Sequence, residues 1–264
     1  MSRLSAYIDG VGLLGPGLAN WAEARPILAG AVPYAARPLV APPPAALPPA
    51  ERRRAGTVVK VALAAASEAI AQSGVSAAEV ASVFASSGAD GDNCHAICET
   101  LASNDRLLSP TRFHNSVHNA AAGYWSIAAK AMTPSSVVCA FDASFGAGLL
   151  EAMTRVVVDG QRCLLVAYEA PYPEPLNAKR PLPSAFSLAL LLSPRAGASS
   201  LARLDVETSA AAADRLADAA LERLRRSIPC ARSLPLLAAL ARGQGGAVLD
   251  YLAPLQLAVA VAPC

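Results

Sequence analysis

The residues most suited to perform chemistry lie at positions 137–153, which read VVCAFDASFGAGLLEAM. An apolar run ends within this stretch, small residues follow, and a helical pattern of apolar residues then begins. Such a sequence is typical of a sharp strand-to-helix turn, or elbow, which exposes one side chain and often carries a nucleophile. The tip of the predicted elbow reads Asp142-Ala143-Ser144, so the serine hydroxyl is the nucleophile it offers.

One interpretation of the elbow is an acyl hydrolase or transferase that uses Ser144 with His118 and either Asp142 or Asp159. Elbows of that class have the pattern G-x-S-x-G, and their histidine follows the serine in the chain. Here Asp142 stands where the first glycine belongs, and all three histidines precede Ser144. Cys139 is an alternative nucleophile only if the helix is one turn longer, and a buried core position explains it better. Catalysis at this elbow is therefore the less favoured hypothesis.

Two groups of possible metal ligands precede the elbow. The motif CHAIC at 94–98 has no second ligand pair at a useful spacing. His114 and His118 are four residues apart, but Pro110 and the surrounding composition predict a loop, not the helix that would place both on one face. We therefore expect hydrogen-bonding roles for these two histidines, and the sequence predicts neither a metal site nor a cofactor.

The composition indicates a globular chain that is unusually apolar. The 264 residues are 54% hydrophobic and 16% charged, and the mean hydropathy is +0.37. This balance excludes disorder, and a net charge of +2 gives no sign of nucleic-acid binding. Two explanations of the excess remain open: a partner surface, or alanine enrichment without functional meaning.

The N-terminal residues lack the long apolar segment of a secretory signal. No uncharged apolar run reaches 18 residues, so no membrane span is predicted. The six cysteines are scattered along the chain, as expected for free thiols in a reducing compartment. We therefore expect a cytoplasmic protein.

Strand-like and helix-like segments alternate through most of the chain, which predicts an α/β fold with helices on both faces of a sheet. After a proline-rich extended segment at 33–49, the pattern loosens beyond residue 171. The predicted strands are 4–12, 79–88, 135–142, 162–170, 185–194, 200–208, 247–252 and 255–262. The predicted helices are 20–28, 51–73, 93–104, 119–132 (with Asn119 as N-cap), 144–159 (ending at Gly160), 210–227 and 234–242.

Several motifs occur in the order found in β-ketoacyl synthases: GVGLLGPG after the first strand, VALAAASEAIAQSG, SPTRFHNSVHNAAAGYWSIA, the elbow, and DGQ before LLVAYEA. The resemblance covers residues 4–195. It implies a truncated thiolase-like fold with a mixed, five-stranded-type sheet and a reduced second half. We accordingly expect a ketosynthase N-terminal-like domain at 1–195 and a shortened C-terminal extension at 196–264 that packs on the same core.

The sequence departs from this family where the family performs its chemistry. A working ketosynthase carries a cysteine at the elbow, and the equivalent position falls at Asp142 or Ala143. The downstream histidines and the Asn-x-x-Gly-x-Gly loop of the family are missing. Asp142 is then best explained as a cap of helix 144–159. The resemblance therefore implies a chain that does not catalyse Claisen condensation by itself.

The resemblance extends to the non-catalytic subunits called chain length factors, and in particular to those of aryl polyene clusters. It implies a heterodimer of this chain with a catalytic ketosynthase. It also implies that acyl carrier protein interacts with this heterodimer. A homodimeric acyl-binding protein remains an alternative. The residues expected at the interface or tunnel wall are Phe113, His118, Asn119, Tyr124, Trp125, Phe141 and Phe145.

Overall fold

A computed structural model of the chain describes residues 3–264 as one eight-stranded mixed sheet with helices on both faces. The strands are β1 (Leu4–Leu14), β2 (Ala81–Ala85), β3 (Ser135–Val138), β4 (Cys163–Glu169), β5 (Phe186–Ser193), β6 (Ala202–Ser209), β7 (Gly245–Leu249) and β8 (Gln256–Ala262). The helices are α1 (Trp21–Leu28), α2 (Pro49–Arg54), α3 (Thr57–Ser73), α4 (Gly91–Ala102), α5 (Pro110–Asn115), α6 (Ala120–Ala129), α7 (Ser144–Asp159), α8 (Leu176–Lys179), α9 (Ala219–Ser227) and α10 (Leu234–Ala241).

The strands follow the order β3-β2-β4-β5-β1-β6-β8-β7 across the sheet. The first three are parallel, with Phe84 of β2 paired to Val137 of β3 and Val166 of β4. All the other pairings are antiparallel. The carboxyl ends of β2, β3 and β4 therefore meet at one end of the sheet, and β3 and β7 form its two edges.

Alternating side chains of the central strands enter two different cores. Along β4, Leu165 and Ala167 join the core beneath α1, α7, α9 and α10. Leu164 and Val166 point the other way, into the core beneath α3 and α6. A strand buried on both faces is apolar throughout, which is why the pattern of this segment is continuous and not alternating. The predicted α/β arrangement with helices on both faces is confirmed.

Two glycines allow α3 to lie directly on β1. A Cβ atom on Gly10 would stand 2.0 Å from the carbonyl oxygen of Ala69, and one on Gly12 would stand 1.9 Å from that of Ala65. No other residue type fits such an approach of two backbones. The glycines at the end of the first predicted strand therefore serve packing, and they set the position of the longest helix on that face.

All eight predicted strands are present, but they form one sheet and not the expected five-stranded-type sheet. The C-terminal strands β6, β8 and β7 continue the sheet beyond β1. The segments 185–194 and 200–208 were expected to pair with each other. Instead, β1 lies between β5 and β6 and pairs with one of them along each of its two edges.

Two predicted helices and one predicted loop differ from the structure. The predicted helix 51–73 breaks between α2 and α3, where Ala55 is extended and Gly56 is a weak helix former. The predicted loop 110–118 contains α5, because proline is well suited to a first helical position. The predicted helix 210–227 shrinks to α9, which begins where the side chain of Asp218 accepts hydrogen bonds from two backbone amides.

The proline-rich segment 33–49 crosses the surface without regular structure until its last residue, as predicted. Helix α7 covers the predicted residues and ends at Gly160, which adopts the left-handed conformation with φ of 66°. Among residues 3–264, every helix is too short or too polar to cross a membrane. The division at residue 195 stays a prediction, and residues 1–2 of its first part lie outside the described residues.

Candidate functional site at the elbow

The elbow connects β3 to α7 through a tight turn at residues 139–143. Ser144, the first residue of α7, closes this turn from inside. Its hydroxyl donates a hydrogen bond to the carbonyl oxygen of Phe141 at 2.7 Å and accepts one from the backbone N–H of Ala140 at 3.0 Å. Only 1% of Ser144 is exposed. The serine is therefore a structural part of the turn, and its proton is already engaged.

Phe141 occupies the strained tip of the elbow. Its φ is 51°, in the left-handed region that a bulky side chain rarely adopts. Its ring is 62% exposed, whereas Ala143 is buried. The predicted tip was Asp142-Ala143-Ser144, whereas the exposed residue with the left-handed backbone is Phe141, because β3 ends at Val138, earlier than predicted, and a short turn precedes α7. The position equivalent to the family's cysteine, Asp142 or Ala143, stays a prediction.

Asp142 does not cap α7, contrary to the prediction. No side chain caps this helix. The carboxylate instead accepts a hydrogen bond from Arg180 at 2.7 Å and another from Arg232 at 3.1 Å. The Arg180 guanidinium also lies over the ring of Phe141, 3.7 Å from the ring centroid. Asp142 and Arg180 thus hold the strained turn and its exposed ring in one position.

A buried carboxyl group lies near the elbow, at the carboxyl end of β4. Glu169 is 2% exposed, and it accepts hydrogen bonds from the backbone N–H and the hydroxyl of Ser87, at 2.7 and 2.8 Å. Burial raises the pKa of Glu169 to about 7, although the two bonds from Ser87 and the charge of Arg180 lower it. Glu169 was not predicted as a site residue, although its place at the end of a predicted buried strand was a usable signal.

The arginines that surround Asp142 gave no such signal. Arg180 lies in an irregular, proline-rich segment, and Arg232 lies 90 positions after Asp142 in the chain. Only the folded chain brings them to the elbow.

Of the seven residues expected at an interface or tunnel wall, the five aromatic ones fall into two groups. Tyr124, Trp125 and Phe145 are buried in the cores, which is the ordinary role of aromatic residues. Phe113 and Phe141 are exposed by 64% and 62%, so these two are available for contact with another molecule.

The polar members of that set differ from the sequence interpretation. Asn119 precedes α6, but its side chain forms no capping hydrogen bond. The expected hydrogen-bonding role of His118 is also not observed, because its buried Nε2 atom has no partner within the described residues. His114 packs edge-on against Tyr124, with ring centroids 6.4 Å apart.

Cys139 also differs from its expected buried position. Its side chain is exposed, and its Sγ atom lies 3.5 Å from the carbonyl oxygen of Ser87. It precedes the strained tip by two residues. Within residues 3–264, no three His, Cys, Asp or Glu side chains converge in a way that could hold a metal ion.

Comparison with known proteins places this geometry in a family. The family model described as beta-ketoacyl synthase, N-terminal domain, matches residues 27–247. No curated protein sequence matches the chain.

Solved structures match the chain over nearly its whole length. One is from the ketosynthase ApeO in complex with its chain length factor ApeC from Xenorhabdus doucetiae, with 26% identity, a TM-score of 0.73, and coverage of 97% of this chain and 99% of that chain. A second is from the ishigamide ketosynthase/chain length factor, with 14% identity, a TM-score of 0.73, and coverage of 98% and 99%. A third is from AntDE:AntF, a type II PKS acyl-carrier protein in complex with its ketosynthase, with 12% identity, a TM-score of 0.77 and full coverage of both chains.

These matches confirm the truncated thiolase-like fold, since they combine a common architecture with coverage of almost the whole chain. The family model spans well over half of the sequence and includes the elbow. The chain therefore belongs to the β-ketoacyl synthase family, as represented by its N-terminal domain.

Proposed function

We propose that this chain is a non-catalytic ketosynthase subunit of the chain-length-factor type. It pairs with a catalytic β-ketoacyl synthase in the elongation of fatty acid-like or polyketide-like chains, with aryl polyenes as the expected product class. The observation that carries the proposal is the elbow at residues 141–144, where the resemblance puts the family's nucleophile at Asp142 or Ala143 and none of the four side chains is a thiol. A cytoplasmic location belongs to the same proposal.

A phenyl ring cannot perform the first step of the ketosynthase reaction. That step needs a thiolate to attack a thioester, at a helix N-terminus that stabilises the negative charge. Phe141 has no lone pair to donate, and Ser144 is buried with its proton engaged. None of the three histidines forms a hydrogen bond with an elbow residue within residues 3–264. These features support a structural role for the elbow and argue against the hydrolase alternative.

The structural relatives support the kind of partner. The relative with 26% identity comes from a complex between a ketosynthase and its chain length factor. By similarity, the catalytic cysteine and histidines are supplied by a second subunit in the complex proposed here. Acyl carrier protein then reaches the catalytic subunit through that complex.

One edge of the sheet is suited to such a partner. Within the described residues, β3 pairs only with β2, so its outer backbone groups are free to bind another strand. Of the fifteen large apolar side chains exposed among residues 3–264, seven lie between residues 101 and 141, in the segment that leads into and out of β3. We call this group the apolar rim: Leu101, Leu107, Phe113, Val117, Ile127, Met132 and Phe141. Exposed apolar side chains in the segment that contains a free edge strand favour a protein interface.

The first test is co-purification of the tagged full chain from its native cell, followed by mass spectrometry and measurement of the molar mass of the complex. We expect a one-to-one complex with a ketosynthase that has its cysteine and downstream histidines. Recovery of the chain alone as a stable homodimer would contradict the proposal and favour the acyl-binding alternative. A stable monomer would contradict both.

A pair of variants tests whether the apolar rim forms the interface. Phe113→Asp places a charge in the rim, and we expect it to weaken the complex by about tenfold or more. The matched control is Leu252→Asp, since Leu252 is exposed by 52% beside β7, at the opposite edge of the sheet. Equal loss of the partner in both variants, or in neither, would place the interface elsewhere.

A further inference from the structure

A positively charged cavity lies beside the elbow, and subunit pairing gives no reason for its charge. It has a volume of about 290 Å³, and its charged lining residues are Asp142, Arg180, Arg226 and Arg232. Three guanidinium groups and one carboxylate give a net lining charge of 3 − 1 = +2. Among residues 3–264, Asp142 is the one carboxylate in the wall of this cavity.

The carboxylate does not satisfy all three cations. Arg180 and Arg232 share Asp142, at 2.7 and 3.1 Å. Arg226 extends from α9 and is exposed, and within the described part of the chain it forms neither an ion pair nor a side-chain hydrogen bond. Bringing like charges together around a concave surface is unfavourable unless an anion completes the site.

The chemistry of the lining identifies the anion. A guanidinium group offers a planar fork of N–H donors that matches the oxygens of phosphate and carboxylate. A carboxylate ligand would neutralise only half of the net charge of +2. A phosphate monoester carries a charge of about −1.5 to −2 at neutral pH, which matches it. We propose that this cavity binds the phosphate group of a small phosphate monoester.

A neighbouring cavity indicates what is attached to the phosphate. Its volume is about 600 Å³, and it shares Arg226 and Ser227 with the charged cavity. Pro16, Tyr34 and Leu224 make most of the rest of its wall apolar, and Arg223 is its one further charged residue among those described. A ligand with its phosphate among the arginines thus has room for an uncharged, partly apolar arm on the far side of Arg226.

This inference does not rest on the proposed subunit function, because it concerns binding by the chain itself. The test is calorimetric titration of the full chain with inorganic phosphate, n-hexyl phosphate and acetate. We expect saturable binding of both phosphates, tighter for n-hexyl phosphate, and much weaker binding of acetate. Arg226→Gln should weaken phosphate binding about tenfold, since it removes a charge-assisted contact.

The matched control is Arg53→Gln, because Arg53 is also exposed on a helix, α2, but is remote from the cavity lining. That variant should bind phosphate as the wild type does. Sites of this kind bind phosphate with a Kd below about 10 mM. The absence of saturable phosphate binding up to that concentration would therefore overturn the proposal. Equal effects of the two substitutions would also overturn it, as would acetate binding as tight as that of phosphate.

Discussion

Two arginine–carboxylate clusters in this molecule have opposite charge balances. In the first, Arg225 of α9 binds Glu222 through two nitrogens at 2.7 Å and also binds Asp250 beyond β7. One buried cation thus satisfies two carboxylates. In the second, at the elbow, two arginines share Asp142, and a third, Arg226, lines the same cavity without a partner among residues 3–264.

The difference separates a structural cluster from one that is available for binding. The Arg225 cluster is closed: its guanidinium is only 8% exposed, and it ties α9 to the turn after β7. The elbow cluster is open to a cavity and has more cations than its carboxylate can neutralise. A closed network contributes to stability, whereas an unbalanced one leaves interaction energy available to a ligand.

Substitution of Arg225 should have the largest effect. Arg225→Met removes the cation and leaves two carboxylates close together without a partner, which is the costly way to break a buried ion pair. We expect the free energy of unfolding to fall by about 3 kcal/mol, measured by urea denaturation. The control is Arg223→Met on the same helix, an exposed residue for which a change under about 0.5 kcal/mol is expected. Similar losses for both variants would show that the Arg225 cluster is not structural.

The carboxyl groups near the two clusters should respond to pH in opposite directions. Hydrogen bonds from Arg225 lower the pKa of Glu222 to about 2, so its contribution to stability is present above its unfolded pKa of 4.5 and is lost as pH falls toward 2. Burial raises the pKa of Glu169 to about 7. The folded state therefore holds the Glu169 proton more tightly, and this residue makes the protein less stable as pH rises from 4.5 through 7.

Glu169→Gln tests this assignment, because glutamine keeps the shape and the hydrogen-bonding capacity but does not titrate. Between about pH 5 and about pH 8, the stability of the variant relative to wild type should rise by about 2 kcal/mol. Urea denaturation at the two pH values measures this difference. A relative stability that stays constant across this range would mean that Glu169 is ionised throughout, as Glu222 is.

Sequence patterns predicted the parts of the fold that depend on local interactions. Helix α7 and its end at Gly160 were predicted because apolar spacing and a left-handed glycine are both local signals. The eight-stranded sheet was not predicted, because the pairing of β1 with β5 and β6 joins residues nearly 200 positions apart. Propensity and periodicity contain no information on such partners.

The same distinction applies to the elbow. The turn itself was predicted from the change of pattern at residues 137–153. The residue at its tip was not predicted correctly, because tertiary contacts determine where strands and helices end. Asp142 was expected to cap a helix, the usual role for that position. Its partners Arg180 and Arg232 reach it only through folding, and they determine what its carboxylate does.

The smallest expected effect concerns the tip that the elbow cluster holds in place. Phe141→Gly removes the ring and also the strain of a left-handed φ, whereas Phe141→Ala removes the ring alone. The glycine variant should therefore be more stable than the alanine variant by about 1 kcal/mol in urea denaturation. Equal stabilities would mean that the turn relaxes once Arg180 loses its aromatic contact, so that the elbow cluster fixes the ring but not the backbone.

The same two variants separate the strain from the function of the ring. If the exposed ring forms part of a tunnel wall in the proposed complex, both variants should lengthen the products to the same extent, because both remove it. The measurement is the product length distribution of the reconstituted complex, with Leu252→Ala as the control for loss of an exposed apolar side chain at the opposite edge of the sheet. Unchanged lengths in both variants would contradict a wall function for Phe141 without affecting the strain argument. Since the Arg180 guanidinium covers one face of the ring, the other face is the one available to an acyl chain.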